Sequence, residues 1–251
     1  MPMSNIAFTI VSTSDRVEWL NELVDSIIKY PKFDGYDICL CFQDYLGNQD
    51  NIENKKRYAK IIIEPERMGC NAARINLLRN IKYDYYINLD DDMRMTQFTD
   101  YNKAIEKCKE KSTGFVLTDW VNNEYSLKLK SMSIKDVFKE NIMTLQGGGM
   151  VYSDNIASLI RRLEIRKTMF DDEWPITAYI NGYTNYKYFG SLTLHYVASD
   201  GGMKSFMKDE CPPLACPEYV NYCKLFGNQY MVPMDFSVSK LARELHEKNL
   251  K

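Results

Sequence analysis

Only two of the 251 residues are histidine, His195 and His246, and the seven cysteines include no Cys-x-x-Cys pair. Structural zinc normally draws on closely spaced Cys and His. Cys211, Cys216 and Cys223 are near one another in the chain, but no such pair and no neighbouring His completes a set. The cysteine count is odd, and several sit in apolar runs, the usage of buried thiols in an intracellular protein. No apolar run approaches the ~20 residues needed to span a bilayer. No basic segment followed by a long apolar core opens the chain, so the expected location is the cytoplasm, or the host cytoplasm if the protein is viral. Charge of one sign is not in excess: 32 Lys and Arg face 34 Asp and Glu, for a net charge of −2. That balance argues against a strongly basic nucleic-acid binder, though a local basic patch remains compatible with it. Neither an internal repeat nor a low-complexity linker is present.

What is there is enough apolar residue for a proper core, 45% of the chain, with 26% charged and 13% aromatic. Residues 6–11 form an apolar run of strand type, followed by the polar loop Ser12-Thr13-Ser14-Asp15-Arg16. Val17, Leu20, Leu23, Val24, Ile27 and Ile28 then fall at helical spacing, and Tyr30-Pro31 ends that helix. Further strands are predicted over 36–42, 60–63 and the run into residue 90, with a helix over 71–80. Beyond it a helix over 101–111, a strand over 113–121, a helix opening at Asp154, a short helix over 176–181 ending at Gly182, and strand over 186–197 are expected. This alternation implies an α/β fold with a mostly parallel sheet and helices on both faces. Ligands of such sheets sit beyond the carboxyl ends of the strands. One continuous domain is expected over 1–203, in halves 1–95 and 96–203, with a helical C-terminal extension over 204–251 packed on it.

The run Tyr85-Tyr86-Ile87-Asn88-Leu89 ends in three consecutive carboxylates, Asp90-Asp91-Asp92. Adjacent Asp residues repel one another and are poor strand formers, so a strand end facing water or a cation suits them. Asp90 and Asp92 share a side if strand geometry persists. Two carboxylates on one side suit a hard divalent ion, Mg²⁺ or Mn²⁺, that also holds phosphate oxygens. The competing reading is a solvated acidic turn.

The order of these segments resembles the GT-A glycosyltransferases, particularly the large family-2 type, over roughly residues 6–195. Ser12-Thr13-Ser14-Asp15-Arg16 looks like the donor-binding loop, Arg67-Met68-Gly69 with Arg74 like the loop and helix start beside the nucleotide, and Asp90-Asp91-Asp92 like the DxD metal motif. Gly147-Gly148-Gly149 looks like the segment before the acceptor-side helix, and Asp171-Asp172-Glu173 like the acidic motif carrying the base. The resemblance implies a metal-dependent transferase that moves a sugar from a nucleotide sugar, most readily a UDP-sugar, to an acceptor hydroxyl with inversion. Asp92 is the first choice of metal ligand, Asp90 reaches ribose or metal-bound water, Asp91 is the least assignable member, and His195 is a candidate third ligand. Asp172, or Asp171, is the base. Gly148, Gly149 and Trp174 would line the acceptor side, with a core position as the alternative for Trp174. The family's acidic pair after the second strand is reduced to Asp44, which would meet the nucleobase.

The acceptor stays open between a glycan, a small molecule and a hydroxymethylated DNA base. In the last case Lys128, Lys130, Lys135 and the Arg161-Arg162 to Arg166-Lys167 run would follow phosphates. A nucleotidyltransferase would need a glycine-rich phosphate loop after the first strand, which Ser12-Thr13-Ser14-Asp15 lacks. A non-catalytic nucleotide-sugar-binding module of the same fold is the remaining alternative.

Overall fold

The strand Ile6–Thr13 (β1) is apolar on both faces and is buried along its whole length, which requires a partner on each edge and a layer on each side. A computed structural model supplies both, and describes residues 5–43, 47, 52, 55–97, 99–121, 149–165, 173–195 and 231–234. After β1 a 3₁₀ turn, Ser14–Arg16, leads into helix α1, Val17–Ile28. Then follow β2 (Asp37–Gln43), β3 (Lys60–Glu64), α2 (Cys70–Arg79), β4 (Tyr85–Asp90), β5 (Met93–Arg94) and α3 (Asn102–Cys108). The second half has β6 (Thr113–Val121), β7 (Met150–Ser153), α4 (Asp154–Ile160), α5 (Glu173–Ile180), β8 (Thr184–His195) and β9 (Met231–Pro233).

The sheet runs β3-β2-β1-β4-β7-β6-β8-β5, with β9 also paired to β8. Strands β1 to β4 are mutually parallel, β6 and β8 share their direction, and β5, β7 and β9 oppose them. The expected mostly parallel sheet is therefore present, with antiparallel strands confined to the second half and its edge. The segment expected to be a helical extension contributes strand β9 to this sheet; the rest of it lies outside the described residues.

Helices cover both faces. Leu20, Leu23, Val24 and Ile27 of α1 follow an i, i+3, i+4, i+7 stripe and pack with Phe8, Ile10, Ile87 and Leu89. Phe8 meets Phe33 edge-on at 5.5 Å and Tyr101 at 6.0 Å between ring centroids. On the opposite face Ala73 and Leu77 of α2 pack on Ala7 and Val11, and Ile156 and Ile160 of α4 pack with Tyr86, Phe115, Leu117 and Tyr152. Helix α5 ends as expected at Gly182, where φ is +84°. The Gly182 N–H donates to Tyr179 O and the Tyr183 N–H to Ala178 O, each at 3.0 Å, the paired bonds of a Schellman cap.

Candidate functional site

Parallel pairing sets Thr13 level with Gln43 and Val11 level with Asp90. The carboxyl ends of β1, β2 and β4 therefore share one sheet edge. The loop after β1 and the acidic triplet after β4, about eighty residues apart in sequence, meet there.

The three carboxylates point to three different partners. Asp91 turns inward and is buried; it accepts a hydrogen bond from the Ser12 hydroxyl at 2.6 Å and sits 2.9 Å from Arg16 Nη2. Asp92 accepts from the same Arg16 nitrogen at 2.8 Å and keeps 17% of its side chain exposed. Asp90 pairs with the fully buried guanidinium of Arg74, which α2 delivers from the adjoining face, and is 27% exposed. Arg94 closes the turn from below. It donates to the carbonyls of Asp91 (3.0 Å) and Met93 (2.7 Å) and pairs with Glu22 of α1 at 2.6 Å. Trp19 lies against both cations, its ring centre 5.9 Å from the Arg16 guanidinium and 5.7 Å from that of Arg94.

Burial pushes the Asp91 carboxyl up to about 7; Arg16 opposes that shift, and the neighbouring Asp92 and Asp90 add to it. For Arg16 burial works against the charge, but Asp91 and Asp92 outweigh it and hold the guanidinium above the ordinary arginine value.

The rest of the expected donor loop is nearby. Thr13 donates to Asp15 at 2.5 Å, and Asp15 is 3.8 Å from Arg67. Ser14 is 6% exposed, and its hydroxyl has no hydrogen-bond partner among the described residues. Gln43 was not singled out in the sequence, yet its side-chain carbonyl accepts from the Met68 and Gly69 N–H groups at 2.7 and 3.2 Å. It ties the Arg67 to Gly69 loop to the end of β2. Asp44 lies outside the described residues.

A second unanticipated group underlies the triplet. Asn88, fully buried two residues before Asp90, accepts from Thr9 at 2.5 Å and from the Tyr152 hydroxyl at 2.8 Å. Its backbone carbonyl accepts from Gly149 N–H at 2.7 Å, and the Gly149 carbonyl accepts from both the N–H and the hydroxyl of Thr118, at 2.8 and 2.9 Å. The signal was available in Tyr86-Ile87-Asn88-Leu89-Asp90: an amide on the same face of an apolar strand as a site carboxylate.

Of the residues expected on the acceptor side, Gly149 is held at the sheet end beside β4, while Gly148, Asp171 and Asp172 lie outside the described residues. Glu173 opens α5 immediately after the expected base. Trp174 occupies its alternative position, the core: it is fully buried, its ring 6.4 Å from Phe115 and 6.3 Å from Tyr152. Stacking on an acceptor is not open to a ring enclosed there. Backbone pairing sets His195 opposite Met93, the residue after Asp92. Arg161, the first residue of the expected phosphate-tracking run, is instead a structural link: it donates to Leu78 O, Ile81 O, Asp154 and the Tyr86 hydroxyl. Lys128, Lys130, Lys135, Arg166 and Lys167 lie outside the described residues. Of the cysteines, Cys39, Cys41 and Cys108 are buried free thiols, and burial lifts Cys41 to about 12.

Among the described residues no set of three or more His, Cys, Asp or Glu is arranged to hold a metal. The partly exposed side chains of Asp92 and Asp90 fit a different arrangement. One or two carboxylates, with phosphate oxygens and water filling the remaining positions, is the ordinary way Mg²⁺ is held beside a nucleotide. No helix among the described residues is long and apolar enough to cross a membrane.

An α/β sheet with a polar loop and an acidic turn on its carboxyl edge is of the class of fold whose ligands sit beyond the strand ends. The particular fold is that of the GT-A glycosyltransferases. The chain superposes on the mannosyltransferase PcManGT from Pyrobaculum calidifontis, solved in complex with GDP-Man and Mn²⁺, with a TM-score of 0.59 at 13% identity, covering 79% of this chain and 58% of that one. It matches S. aureus TarS with a TM-score of 0.54 at 13% identity over 89% of this chain and 44% of TarS. Against TarS 1–349 in complex with UDP-GlcNAc the TM-score is 0.51 at 14% identity, over 81% of this chain and 62% of that fragment. The chain thus spans little more than half the length of the mannosyltransferase. No protein-family model and no curated protein matches the sequence.

Proposed function

We propose that this chain is a metal-dependent glycosyltransferase that takes a sugar from a nucleoside-diphosphate sugar and passes it to an acceptor hydroxyl. The observation that carries the reading is the direct contact between the loop after β1 and the acidic triplet, Ser12 on Asp91 and Arg16 on Asp92. A loop and a carboxylate turn joined at the carboxyl edge of this fold form a floor for a diphosphate. Ser12, Thr13, Ser14, Asp15 and Arg16 line one side; Arg67, Gly69 and Arg74 line the other. Asp92 would hold the ion directly and Asp90 would serve the ribose or the ion's water, while Asp91 is structural, holding Ser12 and Arg16 in place. His195, level with Met93 in the sheet, would be the further ligand. An Mg²⁺ or Mn²⁺ ion held there would neutralise the charge that builds on the departing diphosphate.

Asp172 takes the proton of the attacking acceptor hydroxyl, with Asp171 orienting it, and attack opposite the leaving group inverts the anomeric carbon. Support for this assignment is its position directly before α5, which the Schellman cap and the Asn185 side chain (donating to Pro175 O at 2.7 Å) fix against β6 and β8. The donor reading draws on the neighbours solved with UDP-GlcNAc and with GDP-Man. Of the cations that a DNA acceptor would need, Arg161 is committed to internal bonds and offers no phosphate contact.

Incubating the protein with Mn²⁺ and a panel of UDP- and GDP-sugars, without acceptor, is the decisive measurement. Slow hydrolysis of one donor, reduced about 100-fold or more by Asp92→Ala, is the expected result. Absence of hydrolysis and of binding for every donor would sink the reading, as would full activity of Asp92→Ala in chelator-treated buffer.

A further inference from the structure

In the described state the place between Asp91 and Asp92 is held by a cation of the chain itself. A single nitrogen, Arg16 Nη2, lies 2.9 Å from Asp91 Oδ1 and 2.8 Å from Asp92 Oδ2. Arg16 belongs to a 3₁₀ turn of only three residues, and its side chain is 22% exposed. It is therefore near enough to solvent to move, unlike Arg74, which is fully buried behind Asp90. Arg94 also lies against Trp19 and holds the turn carbonyls. The triplet has a fixed cation on either flank, and one that can leave at its centre.

We propose that Arg16 is an exchangeable counter-cation that makes metal binding depend on the nucleotide. This rests on the proposed donor site. Without nucleotide, Arg16 engages Asp92 and a divalent ion must displace it to bind. When a nucleoside diphosphate enters, its phosphates offer Arg16 an alternative anion within the same loop, and Asp92 is released to the ion. Guanidinium suits both states, since its planar fork recognises carboxylate and phosphate oxygens alike. Two cations competing for one carboxylate, and a third anion relieving the competition, give positive coupling between the metal and the nucleotide. The buried Ser14 hydroxyl, in the same turn and without a partner among the described residues, is a further donor for the incoming phosphates.

The test is Mn²⁺ binding to the full chain, followed by the electron paramagnetic resonance signal of free Mn²⁺, alone and with saturating UDP or GDP. In the unmodified protein, nucleotide should tighten Mn²⁺ at least tenfold. In Arg16→Gln, nucleotide-free Mn²⁺ affinity should rise about tenfold and the coupling should fall towards unity. Because Asp91 loses its cationic partner in that variant and keeps only Ser12, folding is checked by circular dichroism. If Arg16→Gln does not fold, Arg16→Lys is read in its place; it keeps a cation but lacks the fork, and nucleotide-free affinity should rise about threefold. Unchanged or weaker nucleotide-free Mn²⁺ binding in a folded variant overturns the inference while leaving the donor reading intact. Failure of the unmodified protein to bind Mn²⁺ with either nucleotide overturns both.

Discussion

Asp91 behaves differently from the carboxylates on either side of it. It is the one the fold encloses, and burial lifts its carboxyl to about 7. An unfolded Asp titrates near ~3.9. With the folded value raised, folding favours the protonated form. Its contribution to stability is complete below about pH 4 and is lost as pH rises through about 7. In chelator-treated buffer the melting temperature should therefore decline between about pH 5 and 7.5. Asp91→Asn, which retains an acceptor for Ser12, should flatten that decline; an identical pH profile for the two proteins would contradict the assignment. The same residue shows why the middle of the triplet was the hardest to assign from sequence. Alternation would give Asp90 and Asp92 a common side, but β4 ends at Asp90 and a turn follows, and alternation says nothing about which carboxylate a buried serine will claim.

Among the elements, Gly149 and Gly182 make a matched pair. Both hold positive φ, +73° and +84°, where an L-residue is strained by about 1–2 kcal/mol. A Cβ at Gly182 meets nothing within 4 Å, whereas one at Gly149 would lie 2.5 Å from the Thr118 hydroxyl oxygen. Gly182→Ala should then cost about 1 kcal/mol in urea denaturation, and Gly149→Ala about 2 kcal/mol or more together with altered acceptor kinetics. Equal costs would mean that Thr118 yields freely. Sequence periodicity located β1, β2, β3, β6, α1 and α2 because each has enough residues to display a period. It did not reveal β5, with two residues, or β7 and β9, with four and three. These are strands because of their neighbours: β7 joins β4 to β6, and β9 completes an edge of β8. The same limit applies to Gln43, whose function depends on a loop 25 residues later. Trp174 sits in a segment whose aromatic residue could face either way, and only its packing with Phe115 and Tyr152 decides it.

For the whole molecule, the site is a junction of separate layers: α2 brings Arg74, the sheet edge brings the triplet, and α1 supports Arg94 through Glu22. A ligand bound at such a junction stabilises the assembly by mass action, by about 2.7 kcal/mol at a hundredfold excess over its dissociation constant. Mn²⁺ and the correct nucleotide together should raise the melting temperature by several degrees, each alone by less, and chelation should reverse the gain. A shift produced equally by nucleotide in chelator would argue that the ion has no place in donor binding.

The pairing of β5 with the end of β8 also bears on how the molecule is made. Met93 and His195 become neighbours across roughly a hundred residues of chain, and closing so large a loop is slow relative to joining nearby segments. During synthesis β1 to β4 can come together while β8 is still unmade. The nascent chain would then have the proposed nucleotide site at the ends of β1, β2 and β4 before β8 pairs with β5. Refolding monitored with a fluorescent nucleotide analogue should accordingly show an early, weakly binding species that converts to the tight form only as the last strands dock.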